Sequence, residues 1–159
     1  MDLKKRIERM KEEKYKLLVE QVRSLVEGET DVISVMANVC AAIHEAMGFW
    51  WTGFYIEKEG ELRLGPFQGP VACYRIAHGK GVCGTAWLRR ATVIVPDVEQ
   101  FPGHIACSSL SRSEIVVPVK ATDGSVLAVL DIDSKELNTF DAIDQHYLEE
   151  IAGLIPFSS

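Results

Sequence analysis

SEIVVPVKATDGSVLAVLDIDS, residues 113–134, consists of two β-branched runs separated by Asp123-Gly124. Aspartate followed by glycine between such runs is a strong signal for a two-residue hairpin, because both turn residues must reach positive φ. The pattern therefore predicts an antiparallel pair, residues 114–120 against 125–133. A two-residue turn sets Thr122 opposite Ser125, Val119 opposite Ala128, Val116 opposite Asp131 and Glu114 opposite Asp133. Side chains alternate along a strand, so Asp131 and Asp133 share a face and Glu114 joins them there. The register thus gathers three carboxylates at the open end of one hairpin.

Such a cluster is costly, since like charges directly opposite destabilise a sheet and desolvation disfavours ionised acids. Leu127 and Val129 precede the two aspartates on the same face and point to half-burial. Two readings stay open on spacing alone. Either the acids finish an exposed strand end, or they grip a cationic group and hold one carboxyl protonated as a proton donor. A one-residue register slip sends Glu114 to the other face and dissolves the cluster.

Outward from the hairpin, both ends of the chain read as helices. Residues 3–26 carry Leu3, Ile7, Met10, Leu17, Leu18, Val22, Leu25 and Val26 on a 3.6-residue period among many charges, and Gly28 ends the run. Thr30 or Asp31 can cap a second helix with the stripe Val32, Val35, Met36, Val39, Cys40, Ile43 and Met47, which Gly48 stops. A third helix is expected over residues 141–154. Residues 50–57 and 61–64 read as strands joined by Glu59-Gly60. Between 65 and 113 the chain is rich in glycine, with short regular pieces expected at 72–76 (strand), 82–90 (helix) and 92–95 (strand). Irregular stretches of that length inside a domain are usually functional. Terminal helices around antiparallel hairpins predict an α+β fold with a central antiparallel sheet.

The 159 residues, 47% hydrophobic and 25% charged, suit one globular domain with a sizeable core. The net charge of −6 makes a poor partner for nucleic acid or an anionic membrane. No apolar run approaches the ~18 residues of a membrane helix, and the charged start MDLKKRIERMKEEKYK does not resemble a secretion signal. These features predict a cytoplasmic protein with reduced thiols.

The four cysteines then need a purpose. Cys40 lies on an apolar helical stripe and reads as a packing thiol. Cys73, Cys83 and Cys107 all fall in the irregular region. Cys83 is near a helix start, where the dipole and free N–H groups are expected to lower a thiol pKa. No Cys-x2-Cys pair exists, so a zinc ribbon or finger does not fit and no metal ligands are assigned. A catalytic thiol served by resolving thiols is the alternative. His78 and His104 lie in candidate site loops, whereas His44 and His146 lie in helices. Gly79-Lys80-Gly81 lacks both P-loop and dinucleotide spacing, which argues against nucleotide binding. Trp51 and Tyr55, four apart in a strand, share a face and suit either core or a ligand wall.

Taken in order, GFY (53–55), GPFQGPVAC (65–73), GKGVCGTA (79–86), PDVEQFPGHIAC (96–107), SEIVVPV (113–119) and LDIDS (130–134) resemble the free methionine-R-sulfoxide reductase family. The likeness spans about residues 30–155. It implies a single GAF-type domain over 1–159, with 1–28 an N-terminal amphipathic helix, helices on one face of the sheet, and long loops closing a small pocket on the other. The resemblance implies Cys107 as nucleophile, Cys73 as main resolving thiol and Cys83 as a second. It also implies Glu114, Asp131 and Asp133 as substrate-binding acids; Trp51 and Tyr55 are expected to pack against the S-methyl group of such a substrate. It further implies no bound cofactor, thioredoxin or another dithiol as reductant, a homodimer, and a role under oxidative stress. Ser108 stands where the family commonly shows an acid after the nucleophile. The alternative function is a non-catalytic GAF sensor of a small ligand, whose Asn-Lys…Phe…Asp-Glu pattern is matched only in part, by Phe140 and Asp144.

Overall fold

Alternation along the strands sorts the chain into two apolar clusters on opposite faces of one sheet. A computed structural model describes residues 2–104 and 110–157. Helix α1 (Leu3–Val26) starts where the Asp2 carboxylate accepts from the Lys5 N–H, and α2 (Val32–Met47) starts at an Asp31 cap and ends on left-handed Gly48. Strands β1 (Trp51–Lys58), β2 (Glu61–Gln68) and β3 (Arg75–Ala77) follow, then α3 (Gly81–Arg89), β4 (Val93–Val95), β5 (Ser113–Lys120), β6 (Val126–Ser134) and α4 (Ala142–Ala152). Among the described residues the strands form one six-stranded sheet in the order β3-β2-β1-β6-β5-β4, antiparallel throughout.

Phe54, Ile115, Val117, Val119, Ala128, Leu130 and Ile132 point one way and are buried under α1, α2 and α4. The intervening residues Trp51, Tyr55, Val116 and Val129 point the other way, where Val82, Cys83 and Ala86 of α3 cover them. The expectation of helices on one face therefore holds for three of them. The short α3 lies with the loops on the opposite face, where Val82, Cys83 and Ala86 pack onto the sheet.

The hairpin reaches the expected register by a different route. Ala121, not Thr122, pairs with Ser125, through a bond from the Ala121 N–H to the Ser125 carbonyl, and the Gly124 N–H closes the turn onto the Ala121 carbonyl. Thr122–Gly124 is thus a three-residue loop, with Gly124 at φ +87° as such loops require. Lys120 then pairs with Val126, and a bulge before Val119↔Ala128 shifts the strands back by one. Val116 consequently faces Asp131 and Glu114 faces Asp133, as the sequence predicts.

Strand β2 runs four residues beyond the expected 61–64, to Gln68. A register shift opposite Gly53–Tyr55 gives β2 an extra residue, so Pro66 needs no ladder N–H and pairing resumes at Phe67. The expected strand at 72–76 is regular only over Arg75–Ala77.

Helix α4 is tied to α1 by one buried carboxylate. Asp144 accepts from the Tyr15 hydroxyl at 2.5 Å, from Lys11 Nζ at 2.6 Å and from the Asp141 N–H at 2.9 Å. Asp144 and Phe140 both lie on the helical face, so their partial match to a sensor pattern reflects packing. Asp144→Ala is expected to cost about 2–4 kcal/mol, because Tyr15 and Lys11 lose a shared buried partner. An unchanged urea midpoint would show that this tie contributes nothing.

Candidate functional site

The site is built on three adjacent strands. Pairing of β1 with β6 sets Trp51 opposite Asp133 and Gly53 opposite Asp131. Pairing of β5 with β6 sets Glu114 beyond Asp133 and Val116 beyond Asp131. Two rows thus cross the sheet, Trp51–Asp133–Glu114 and Gly53–Asp131–Val116. The first half of α3 lies over them and lowers Cys83 onto the acids: donor atoms of Cys83, Glu114 and Asp131 all lie within 4.8 Å of one another.

The hairpin acids are not a solvated strand end. Glu114 and Asp131 are each only 6% exposed, Asp133 is half-buried, and all three line one cavity. Burial is the largest cause that pushes Glu114 and Asp133 well above the usual carboxylate range, and the neighbouring Asp131 charge adds to it. Asp131 is raised as well, by burial, against hydrogen bonds from its neighbours. Asp133 Oδ1 accepts from the Ser111 hydroxyl at 3.1 Å, whereas Asp131 Oδ1 is buried with no hydrogen-bond partner among the described residues. Three acids with raised pKa values thus share one cavity, and one of their buried oxygens lacks a partner among the described residues.

Aromatic rings wall the other side. Trp51 and Tyr55 stack at 6.1 Å, and both reach the loop that follows β2: Trp51 Nε1 donates to the Pro70 carbonyl and the Tyr55 hydroxyl to that of Cys73, each at 2.9 Å. Gly53 makes room for this arrangement, since a Cβ there would lie 2.4 Å from the Trp51 ring and 2.5 Å from Phe67 Cβ. An interior glycine between aromatic strand residues is the sequence signal that could have found it. Sequence reasoning also missed Ser111 and Lys80 among the cavity residues.

The expected cysteines separate. Cys40 is buried in the helical core, its Sγ 3.3 Å from the Pro66 carbonyl, and burial pushes its thiol up to about 12. Cys83 lies in the cavity, but the expected lowering of its pKa is overturned. Burial, then the charges of Asp131, Glu114 and Asp133, push the thiol well above its ordinary value. A helix dipole acting through one turn cannot outweigh three acids in contact. Cys73 is half-buried and disulfide-bonded, while Cys40 and Cys83 are free thiols. Cys107 and Ser108 lie outside the described residues. Of the loop histidines, His104 lines the cavity with its pKa lowered by burial. His78 instead packs edge-on against Trp87.

The first-turn N–H groups of Gly81, Val82 and Cys83 precede the first intrahelical bond of α3, from Gly84 to Lys80, and Gly81–Cys83 line the same cavity. The site thus offers acids and a helix N-terminus on one side of a small space and aromatic rings on the other. That pattern suits a small molecule bearing a cation, an anion and an apolar end.

Among the described residues, no helix is long and apolar enough to cross a membrane. The GAF domain family matches residues 29–157. GAF domain-containing protein A of Dictyostelium discoideum is 56% identical, over 91% of this chain and 92% of that protein. The free methionine-R-sulfoxide reductase of Saccharomyces cerevisiae is 43% identical over 91% of this chain and 85% of its own length. A solved free methionine-R-sulfoxide reductase of Neisseria meningitidis, in complex with its substrate, superposes with a TM-score of 0.86 at 50% identity, covering 89% of this chain and 86% of that one.

Proposed function

The chain belongs to the free methionine-R-sulfoxide reductase family of GAF domains, and from that premise we propose that it is an oxidoreductase reducing free L-methionine-(R)-S-oxide to L-methionine. The observation that carries this reading is the trio of buried Glu114 and Asp131 with half-buried Asp133, facing Trp51 and Tyr55 across a small cavity. Asp131 and Glu114 take the substrate ammonium, and the orphaned Asp131 Oδ1 supports that role. The α3 N-terminus at Gly81–Cys83 takes the carboxylate. Trp51 and Tyr55 pack against the S-methyl group. A methionine sulfoxide within a peptide lacks both free termini and would leave buried charges unpaired, which is why the substrate is the free amino acid.

The chemistry needs a thiolate and a proton. Cys107 Sγ attacks the sulfoxide sulfur while a protonated carboxyl of the trio donates to the oxygen. The oxygen is transferred to Cys107 as a sulfenic acid and methionine leaves, reduced by two electrons. The Cys73 thiol then attacks Cys107 Sγ, a disulfide forms and water departs. A dithiol partner such as thioredoxin attacks that disulfide, returns two electrons and leaves as its own disulfide. The disulfide-bonded state of Cys73 supports its place in this cycle. Val71 and Tyr74, 87% and 80% exposed on either side of Cys73, offer apolar contact to such a partner. Cys83 serves as a second resolving thiol. No bound cofactor enters these steps. We assign homodimer formation to the exposed stripe Leu3, Ile7, Met10 and Leu17 of α1, and the thiol cycle to the reducing cytoplasm.

Loss of each methionine sulfoxide epimer, followed with dithiothreitol or thioredoxin, tests the activity. Turnover of the R epimer alone is expected. Saturable binding without turnover by fully reduced protein would replace the enzyme reading with the sensor one. Cys73→Ser is expected to keep its first turnover, while thioredoxin-coupled cycling falls by about tenfold or more. Equal cycling would show that Cys83 suffices for resolution.

A further inference from the structure

The cluster of Cys83, Glu114 and Asp131 has donors that a single ammonium ligand does not need. We propose that these three side chains form a binding site for a zinc-class divalent cation, and that the ion inhibits the enzyme by occupying the place of the substrate ammonium. The geometry carries the proposal. One sulfur and two carboxylate oxygens lie within 4.8 Å of one another. A tetrahedral ion with Zn–S near ~2.3 Å and Zn–O near ~2.0 Å holds such atoms roughly 3.5 Å apart, so closure by about an ångström completes it. The fourth ligand comes from solvent, as in open zinc sites.

The donors arrive on three rigid elements, the first turn of α3 and the paired strands β5 and β6, so the site does not depend on a loop. Asp131 supplies the independent sign of a missing ligand: it is 6% exposed, lines the cavity, and its buried Oδ1 is unpartnered among the described residues. A thiolate with two carboxylates favours zinc over magnesium or calcium, which require six or more oxygens. The widely spaced cysteines argued against zinc in the sequence, but sheet carboxylates replace the second and third thiols.

Binding rests on this geometry alone. Only the inhibition rests on the proposed activity.

Cobalt(II) reports on the site, because thiolate ligation gives a charge-transfer absorption in the near ultraviolet. The protein is used with Cys73 disulfide-bonded, where Cys40 and Cys83 are the free thiols. One cobalt per chain with a thiolate band is expected, displaced by zinc. Cys40→Ala should keep the band and Cys83→Ala should lose it. Cys83→Ser, checked for folding by circular dichroism, guards against loss through unfolding. Asp131→Asn should weaken binding by about tenfold or more. No thiolate band at millimolar cobalt, or a band that survives in both Cys83 variants, overturns the site. Methionine sulfoxide should displace the cobalt, and failure to compete overturns the inhibition while leaving any R-epimer turnover intact.

Discussion

Cys107→Ser is expected to lower reduction of free methionine-R-sulfoxide by about a thousandfold or more. A serine hydroxyl is a far weaker nucleophile than a thiolate and cannot carry the oxygen as a sulfenic acid. The structure sharpens the expectation by removing the obvious substitute. Cys83 is a free thiol in the same cavity, yet burial and three acids hold it protonated. It should therefore not replace the missing nucleophile. Single-turnover loss of the R epimer, measured chromatographically with excess reduced protein, decides the matter. Substrate affinity should survive, because the acids and rings are untouched. Residual turnover within tenfold of wild type would mean that Cys107 is not the attacking group.

The second large effect concerns Glu114. Glu114→Gln keeps the size of the side chain and removes one member of the buried trio. Loss of a carboxylate that faces the substrate ammonium should reduce kcat/KM by about 100-fold or more. Stability should move the other way. Three carboxylates crowded in a buried space repel, and an uncharged amide relieves that by about 1–2 kcal/mol.

The pH dependence gives this prediction a sign. Glu114 is raised in the folded protein above its unfolded value, so between those two values the native state binds more protons. Stability is full below the unfolded value and is lost as pH rises through the raised one. Wild-type urea midpoints should thus fall as pH climbs above the ordinary carboxylate range. The Glu114→Gln slope should be flatter. A variant that is both less active and less stable, with the wild-type slope, would remove the acid trio from the mechanism.

Much of this site is local in sequence, which is why it could be read there. Glu114, Asp131 and Asp133 sit on one hairpin, and pairing within a hairpin follows from its turn. Even so, the register was reached through two opposing displacements, a three-residue loop and a bulge near Val126. The helix limits at Asp31 and Gly48 were legible because caps act within one turn. The extension of β2 through Pro66 was not, since it depends on a bulge formed against a partner strand. The thiol of Cys83 was misjudged for the same kind of reason. Its helix position is local, but the acids that control it come from strands 31 to 50 residues away.

The amino-acid sequence by itself determined the α+β class, the hairpin with its three acids on one face, the core place of Cys40, and a pattern of motifs specific enough to imply a family. Each of these depends on residue spacing or on neighbours within a turn. Tertiary structure alone decided that β1 lies beside β6, setting Trp51 opposite Asp133 and Gly53, with no side chain to intrude, opposite Asp131. It alone laid α3 over those rows and buried Cys83 among carboxylates. Pairing between distant strands is settled by how whole faces pack, and burial, which governs every pKa in this cavity, exists only once they have.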